Sequence, residues 1–322
     1  MAKYKYMDKN NFGKGAIKDT RDIRDYLYKD IAGASKPFDW SFGFDVEILD
    51  GKLPVKNQAQ TSACGGFAWA TYSYVLDSTN REEKSEKFIY SHTHIGTGGS
   101  DGRTNCDFCV KNGDCSKTLC PLPNPLTEAE ITRTDDITAL AYANAKTNEE
   151  KSYLAVNCDI DTVAQAMRDC SGVVLGVSGN NSTGTWLSTY PSPSPAQWEH
   201  WLYAGKTRVV NGKKYIGVLN SWGNSVGEQG WQYLSEDYFK QNLVWACWTM
   251  IYNANIPYTF IPTIRFGQTG LPVKMLQTKL GISADGQFGN QTLQAVKAFQ
   301  LRHGLVADGV AGPLTCNMLN TV

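Results

Sequence analysis

Near the C-terminus one short pattern is written twice, as Asp285-Gly-Gln-Phe-Gly-Asn-Gln-Thr292 and as Asp308-Gly-Val-Ala-Gly-Pro-Leu-Thr315. Each copy reads as an Asp-Gly turn, then a glycine and a helix start, and each follows an apolar-periodic stretch. Leu276 and Leu280 stand four apart, and Leu293, Val296 and Phe299 run at three-residue spacing, as the buried stripes of short helices do. A small helical module is therefore expected over 264–322. Its charge differs from the rest: from Thr263 to Val322 five basic residues face two acidic ones, giving +3 and leaving −3 for the remainder of a neutral chain. The run 253–263 before it holds Pro257 and Pro262, which oppose helix, and reads as a linker.

The residues of this segment leave a helical packing or dimerisation domain open. Its motifs say more: Gly267-Gln-Thr-Gly270, Leu276-Gln277, Leu280-Gly281, Asp285-Gly286, Phe299-Gln300, Gly304-Leu305, Asp308-Gly309 and Gly312-Pro313. Together they resemble the type 1 peptidoglycan-binding domain, over nearly all of 264–322. The resemblance implies a three-helix module that holds an enzyme on bacterial peptidoglycan.

A length of 322 residues suggests about two domains at roughly 100–200 residues each. With 31 Lys+Arg against 31 Asp+Glu, the chain lacks the basic excess by which a general nucleic-acid binder neutralises phosphates, so no nucleic-acid partner is expected. Its longest apolar runs, such as 172–177, fall far short of the ~20 residues that span a bilayer, and no membrane partner is expected. The N-terminus has positive charge but no apolar stretch after it, so it does not read as a secretory signal. Either a cytoplasmic location or export by another route fits.

Upstream of the linker, helical periodicity at 64–76, 159–168 and 235–241 interleaves with strand-like runs at 173–177, 201–204, 215–219 and 244–251. Such mixing predicts an α+β fold. Cys64 opens the first of these helices, where unsatisfied N–H groups and the positive end of the dipole favour a thiolate nucleophile. A nucleophile of this kind needs a base, and the chain has four histidines: His92, His94, His200 and His303. His303 lies in the C-terminal module, and His92 and His94 read as structural. His200 opens a strand-like run and is followed by Asn220-Ser-Trp-Gly223. An Asn accepting one imidazole N–H would turn the other ring nitrogen toward Cys64. Glu199 reads as a solvated or supporting neighbour.

The stretch Gln58-Ala-Gln-Thr-Ser-Ala-Cys64-Gly-Gly-Phe-Ala-Trp-Ala, with His200 and Asn220 lying 136 and 156 residues beyond Cys64, resembles the papain-like cysteine peptidases, whose His and Asn follow the nucleophile by roughly 130–150 residues. Asn220-Ser-Trp-Gly through Gly230-Trp-Gln-Tyr233 is similar to a second motif of that family. The resemblance implies a helical lobe that begins at Cys64, an antiparallel barrel-like sheet carrying His200 and Asn220, and a peptide-binding cleft between them. It assigns Cys64 as nucleophile, His200 as base and acid, Asn220 as its orienter, Gln58 with the Cys64 N–H as oxyanion hole, and Trp222 as a shield over the His–Asn hydrogen bond. No cofactor is implied.

Three positions depart from the family: Thr61 stands where a disulfide cysteine is usual, and Gly65 and Gly66 replace larger residues, costing about 1 kcal/mol each in a helix while permitting close approach. The implied layout is an N-terminal arm at 1–40, a peptidase domain at 41–252, the linker at 253–263 and the wall module at 264–322. The arm is too short for a full inhibitory propeptide and is expected to pack on the catalytic lobe, with autoinhibition not favoured. The whole reads as a cysteine endopeptidase of the phage-lysin or bacterial wall-hydrolase type cutting peptide bonds. A wall-anchored protease acting on proteins and a non-catalytic wall-binding protein are the rival readings.

Cys106, Cys109, Cys115 and Cys120 have C-x2-C-x5-C-x4-C spacing. Two local disulfides, a structural zinc and free thiols are all compatible with it, each in a structural role. Cys158 and Cys170 flank an expected helix of about ten residues, which would hold them roughly 15–18 Å apart and unable to pair.

Overall fold

The computed structural model describes residues 13–19, 25, 27–31, 37–77, 82–148, 151–181, 185–252, 264–312, 315–316 and 318–319. The linker at 253–263 and much of the N-terminal arm lie outside them. Contacts divide the chain into two compact units, Met1–Tyr26 with Lys36–Met250, and Leu27–Ser35 with Ile251–Val322. In chain order the elements begin with β1 (Ala16–Ile17), in the larger unit, and α1 (Tyr28–Ile31), a single turn grouped with the smaller one.

The helical part of the larger unit comprises α2 (Val46–Asp50), α3 (Cys64–Leu76), α4 (Glu86–Thr93), then β2 (Ser100–Asp101), α5 (Gly102–Asn112), α6 (Glu128–Ile131) and α7 (Ala139–Lys146). Its helix starts are set by side chains that accept orphan backbone N–H groups: Ser85 caps α4, Asp101 caps α5, and Thr127 and Thr138 cap α6 and α7. Helix α3 is the exception, since Ala63 at its N-cap offers no side-chain acceptor. The amides at its first turn are therefore left for another partner. Gly65 and Gly66 let this helix come close to its neighbours. A methyl built on Gly65 would collide with the Ser100 hydroxyl and Asn105, and one on Gly66 with the Glu86 carbonyl and Tyr90.

Next come β3 (Lys151–Ala155), α8 (Ile160–Cys170) capped by Asp159, β4 (Val173–Gly179), β5 (Trp198–Val210), β6 (Lys213–Leu219), β7 (Trp231–Ser235), α9 (Glu236–Lys240) and β8 (Val244–Tyr252). The strands form one sheet in the order β3-β8-β4-β5-β6-β7, with antiparallel pairing from β8 through β7. The fold is α+β. Helix α3 packs on this sheet through Trp69 and Trp201, edge to face with ring centroids 5.2 Å apart. The buried Tyr72 hydroxyl is bonded to Cys170 O and Thr249 Oγ1 of the sheet side.

The cysteine cluster corrects an expectation. Cys106 and Cys109 sit one turn apart on α5 and join the main core, where Cys106 accepts a hydrogen bond from Trp69 Nε1 at 3.3 Å. Cys115 and Cys120 lie beyond Gly113, which caps α5 at φ 71°, and pack in a separate cluster with Phe88, Ala141 and Ala145. The four sulfurs therefore do not converge, and no group of three or more His, Cys, Asp or Glu able to hold a metal exists among the described residues. The structural zinc is withdrawn on that ground. None of the nine cysteines is joined in a disulfide in this structure. Cys158 lies against Cys247 across the sheet edge at 3.2 Å, while α8 separates it from Cys170.

The smaller unit contains α10 (Leu271–Lys279) and α11 (Asn290–Arg302), followed by helical residues at 315–316 and 318–319. Val273, Leu276, Phe288, Val296, Phe299 and Leu319 form its core. The written repeat is also a structural one. Gln277 Nε2 donates to Asp285 Oδ1, Gln287 O and Thr292 Oγ1 while its Oε1 accepts from the Gly286 amide. Gln300 makes the same four bonds with Asp308, Val310, Thr315 and Gly309. Each buried amide thus closes an Asp-Gly turn onto the preceding helix.

Candidate active site

His200 and Asn220 are brought together by the β5–β6 hairpin. Tyr203 pairs with Leu219 in register, so the residues that continue past this end of the ladder face one another. His200 Nε2 meets Asn220 Oδ1 at 3.0 Å, and both residues are buried. The ring of Trp222 lies 4.8 Å from that of His200, tilted by 30°. Asn220 Nδ2 donates in turn to Gln232 Oε1 on β7 at 2.7 Å.

Cys64 is the first residue of α3 and is fully buried. Its sulfur receives backbone N–H groups of Trp201, beside His200 on β5, and of Gly15. Gln58 is tied on both ends, its Oε1 accepting from Ser221 Oγ at 2.6 Å and its Nε2 donating to Thr61 O at 2.7 Å. Thr61, in place of the family cysteine, closes the same turn through its hydroxyl onto Gln58 O at 2.7 Å. His92 stacks on Phe108 and bonds Tyr142, a structural place. Glu199 accepts from Ser178 and Trp245 and pairs with Lys18 at 3.0 Å.

Gly15 and Lys18 belong to the N-terminal arm, which packs into the site itself. Gly13 N donates to Ala59 O at 3.0 Å, Gly13 O accepts from Trp222 Nε1 at 3.0 Å, and Gly15 O accepts from Ser100 N at 2.8 Å. Beyond them β1 pairs in parallel with β2, Ala16 opposite Ser100. Two glycines are needed there: a methyl on Gly13 would run into Thr61 O and one on Gly15 into Ser62 O. Asp19 ends the segment, accepting from Trp248 Nε1 at 2.7 Å and from the Arg103 amide.

With the arm in place the electrostatics are those of a resting site. Burial pushes the Cys64 thiol up to about 12, outweighing the amides aimed at it. This reverses the depressed value expected at a helix N-terminus, because desolvation penalises the thiolate more than the dipole helps it. Burial likewise holds His200 down to about 4, against the Asn220 hydrogen bond, and the Lys14 ammonium disfavours the imidazolium further. Thiol and imidazole are both neutral across the range between.

Comparison with known proteins places this architecture. The chain superposes on xylellain, a cysteine protease from Xylella fastidiosa, with a TM-score of 0.61 and 22% identity, over 75% of this chain and 96% of that one. Digestive procathepsin L 3 of Tenebrio molitor larval midgut gives 0.57 and 16%, over 75% and 76%. The chain has the papain-like fold. Residues 269–319 match the family described as putative peptidoglycan binding domain. The zinc D-Ala-D-Ala carboxypeptidase of Streptomyces albus G is 40% identical over 70 residues, which are 19% of this chain and 28% of that protein. The chain thus spans under a third of that curated relative.

Gln58, Cys64, His200, Asn220 and Trp222, all named from sequence, lie in one buried neighbourhood. Gln232, Ser221 and the arm glycines were not singled out. A polar residue inside the apolar strand Trp231-Gln-Tyr-Leu was the available signal for the first.

Proposed function

We propose that the larger unit is a cysteine endopeptidase and that the C-terminal module holds it on bacterial peptidoglycan, where it cuts peptide bonds of the wall. The observation that carries this reading is the buried His200–Asn220 hydrogen bond of 3.0 Å beside a cysteine that opens a helix. In this mechanism His200 Nδ1 takes the Cys64 proton as the sulfur attacks the scissile carbonyl carbon, then gives it to the departing amine. Water, deprotonated by the same nitrogen, releases the acyl group. The Cys64 N–H and the second N–H of Gln58, whose first is spent on Thr61 O, are assigned to the oxyanion.

The docked arm makes this form latent. It covers the sulfur and keeps both partners neutral, so catalysis requires the segment at 13–19 to leave. The module supports the wall as the site of action. The Streptomyces albus G carboxypeptidase resembles this chain over a stretch of 70 residues, which fits a transferable targeting part. Hydrolysis of an internally quenched peptide is the test. In a chain freed of the arm by Gly15→Val, whose side chain would collide with Ser62 O, Cys64→Ala and His200→Ala should each lower the rate by about three orders of magnitude or more, and an unchanged rate in either variant would remove that residue from the mechanism.

A further inference from the structure

We infer that Gln232 is a positioning residue that, through Asn220, fixes which nitrogen of His200 carries the proton. The inference rests on the peptidase reading for its consequence, and on hydrogen-bond logic alone for its geometry. Trp186 O and Ser188 O are backbone carbonyls, which only accept. Both lie within reach of one terminal atom of the Gln232 side chain, at 2.6 and 3.2 Å. That atom must be the NH2 group, so the other is the oxygen. The Gln232 oxygen faces a terminal atom of Asn220 at 2.7 Å, which must then be the Asn220 NH2. Asn220 is left presenting its oxygen to His200 Nε2 at 3.0 Å, and Nε2 must carry the hydrogen. Nδ1 is then the bare nitrogen, and it has no hydrogen-bond partner among the described residues.

Two immobile carbonyls therefore dictate the tautomer of a base three residues away along the chain of bonds. The relay has no room to rearrange. Gln232 is fully buried on β7, opposite Val218 in register, and a methyl on Gly227 would press on its Cγ. Without Gln232, Asn220 is free to turn its NH2 toward His200 and select the wrong tautomer, the one protonated at Nδ1.

The test uses the full chain labelled with 15N-histidine, where long-range 1H–15N correlations report the tautomer of each of the four histidines. His200→Gln identifies the His200 signals. The parent should show the Nε2–H form, and Gln232→Met a mixture or the Nδ1–H form; with the arm expelled by Gly15→Val in both chains, kcat on a quenched peptide should be lowered about ten- to a hundredfold and KM little changed. Gln232→Glu supplies a second arm. Its carboxyl, buried against two carbonyls, is expected to stay protonated to higher pH than usual, donating to a carbonyl while still accepting from Asn220. That variant should keep the Nε2–H form and its rate at low pH, and lose both as the new carboxyl ionises, adding an alkaline limb to the pH profile. An Nδ1–H parent, or an unchanged Nε2–H form in Gln232→Met at any activity, would overturn the inference. So would an unaltered pH profile in Gln232→Glu. A Gly15→Val chain, whose side chain would collide with Ser62 O and expel the arm, that is inactive on every peptide but shows these tautomers would instead overturn the peptidase reading alone.

Discussion

Cys64 is a neutral thiol and His200 a neutral imidazole, and the reason is burial. The thiol stands at about 12 and the imidazole at about 4 while the arm covers them. Between those values alkylation of Cys64 by iodoacetamide should be slow and should climb about tenfold per pH unit with the small thiolate fraction. Gly15→Val puts a branched side chain where Ser62 O leaves no space for a methyl, so the arm should be expelled. Alkylation should then speed up by about tenfold or more, with a thiolate onset below the ordinary value of about 8.5. Unchanged reactivity would mean that the arm is not what keeps the thiol neutral. The arm is not expected to be an acid trigger. His200 is held low, so its contribution to docking is complete above about 6.5 and is lost as pH falls through about 4. Asp19 is pushed up to about 6 by burial, so its contribution is complete below about 4 and is lost as pH rises through 6. The two oppose each other over the same window. Gln58, Cys64, His200 and Asn220 were legible because their order and spacing survive in one dimension. The thiol's neutrality was not, since it comes from burial, which depends on how segments distant in sequence pack around the sulfur.

Helix α3 and strands β4, β5, β6 and β8 were legible because their apolar residues are concentrated in runs, and α8 because Asp159 marks its start. Strand β7 was missed because it is only five residues long and the polar Gln232 interrupts its apolar run, unlike the continuous Val173-Val-Leu of β4. Helix α4 was missed for a different reason: its buried Glu86 looks like a surface residue until Lys56 is found 2.7 Å from it in space. The C-terminal repeat is the case where one dimension sufficed, since the same Gln, Asp, Gly and Thr recur at one offset. Because their bonds are duplicated, Gln277→Ala and Gln300→Ala should destabilise the smaller unit to a similar degree, by about 1–3 kcal/mol each from the buried groups left unpaired. Thermal unfolding of the full chain checks this, and a large cost at one site with none at the other would show that the two turns are not equivalent.

The molecule combines a papain-like unit with a module matched by a putative peptidoglycan-binding family. Of the described helices none is long and apolar enough to cross a membrane. The α+β class and the module were both readable from sequence, because each rests on local pattern. The packing of residues 13–19 onto Cys64 and Trp222 was not, because it is a property of how distant segments come together. Whether the buried cysteine cuts the wall is the deciding question. Purified sacculi incubated with the Gly15→Val chain, and with the same chain carrying Cys64→Ala, should be compared by mass spectrometry of the soluble products, with denatured casein alongside. New peptide-bond termini from sacculi that vanish with Cys64→Ala are the expected result. Sacculi left intact while casein is cut would contradict it, making the chain a protease stationed on the wall rather than one that opens it.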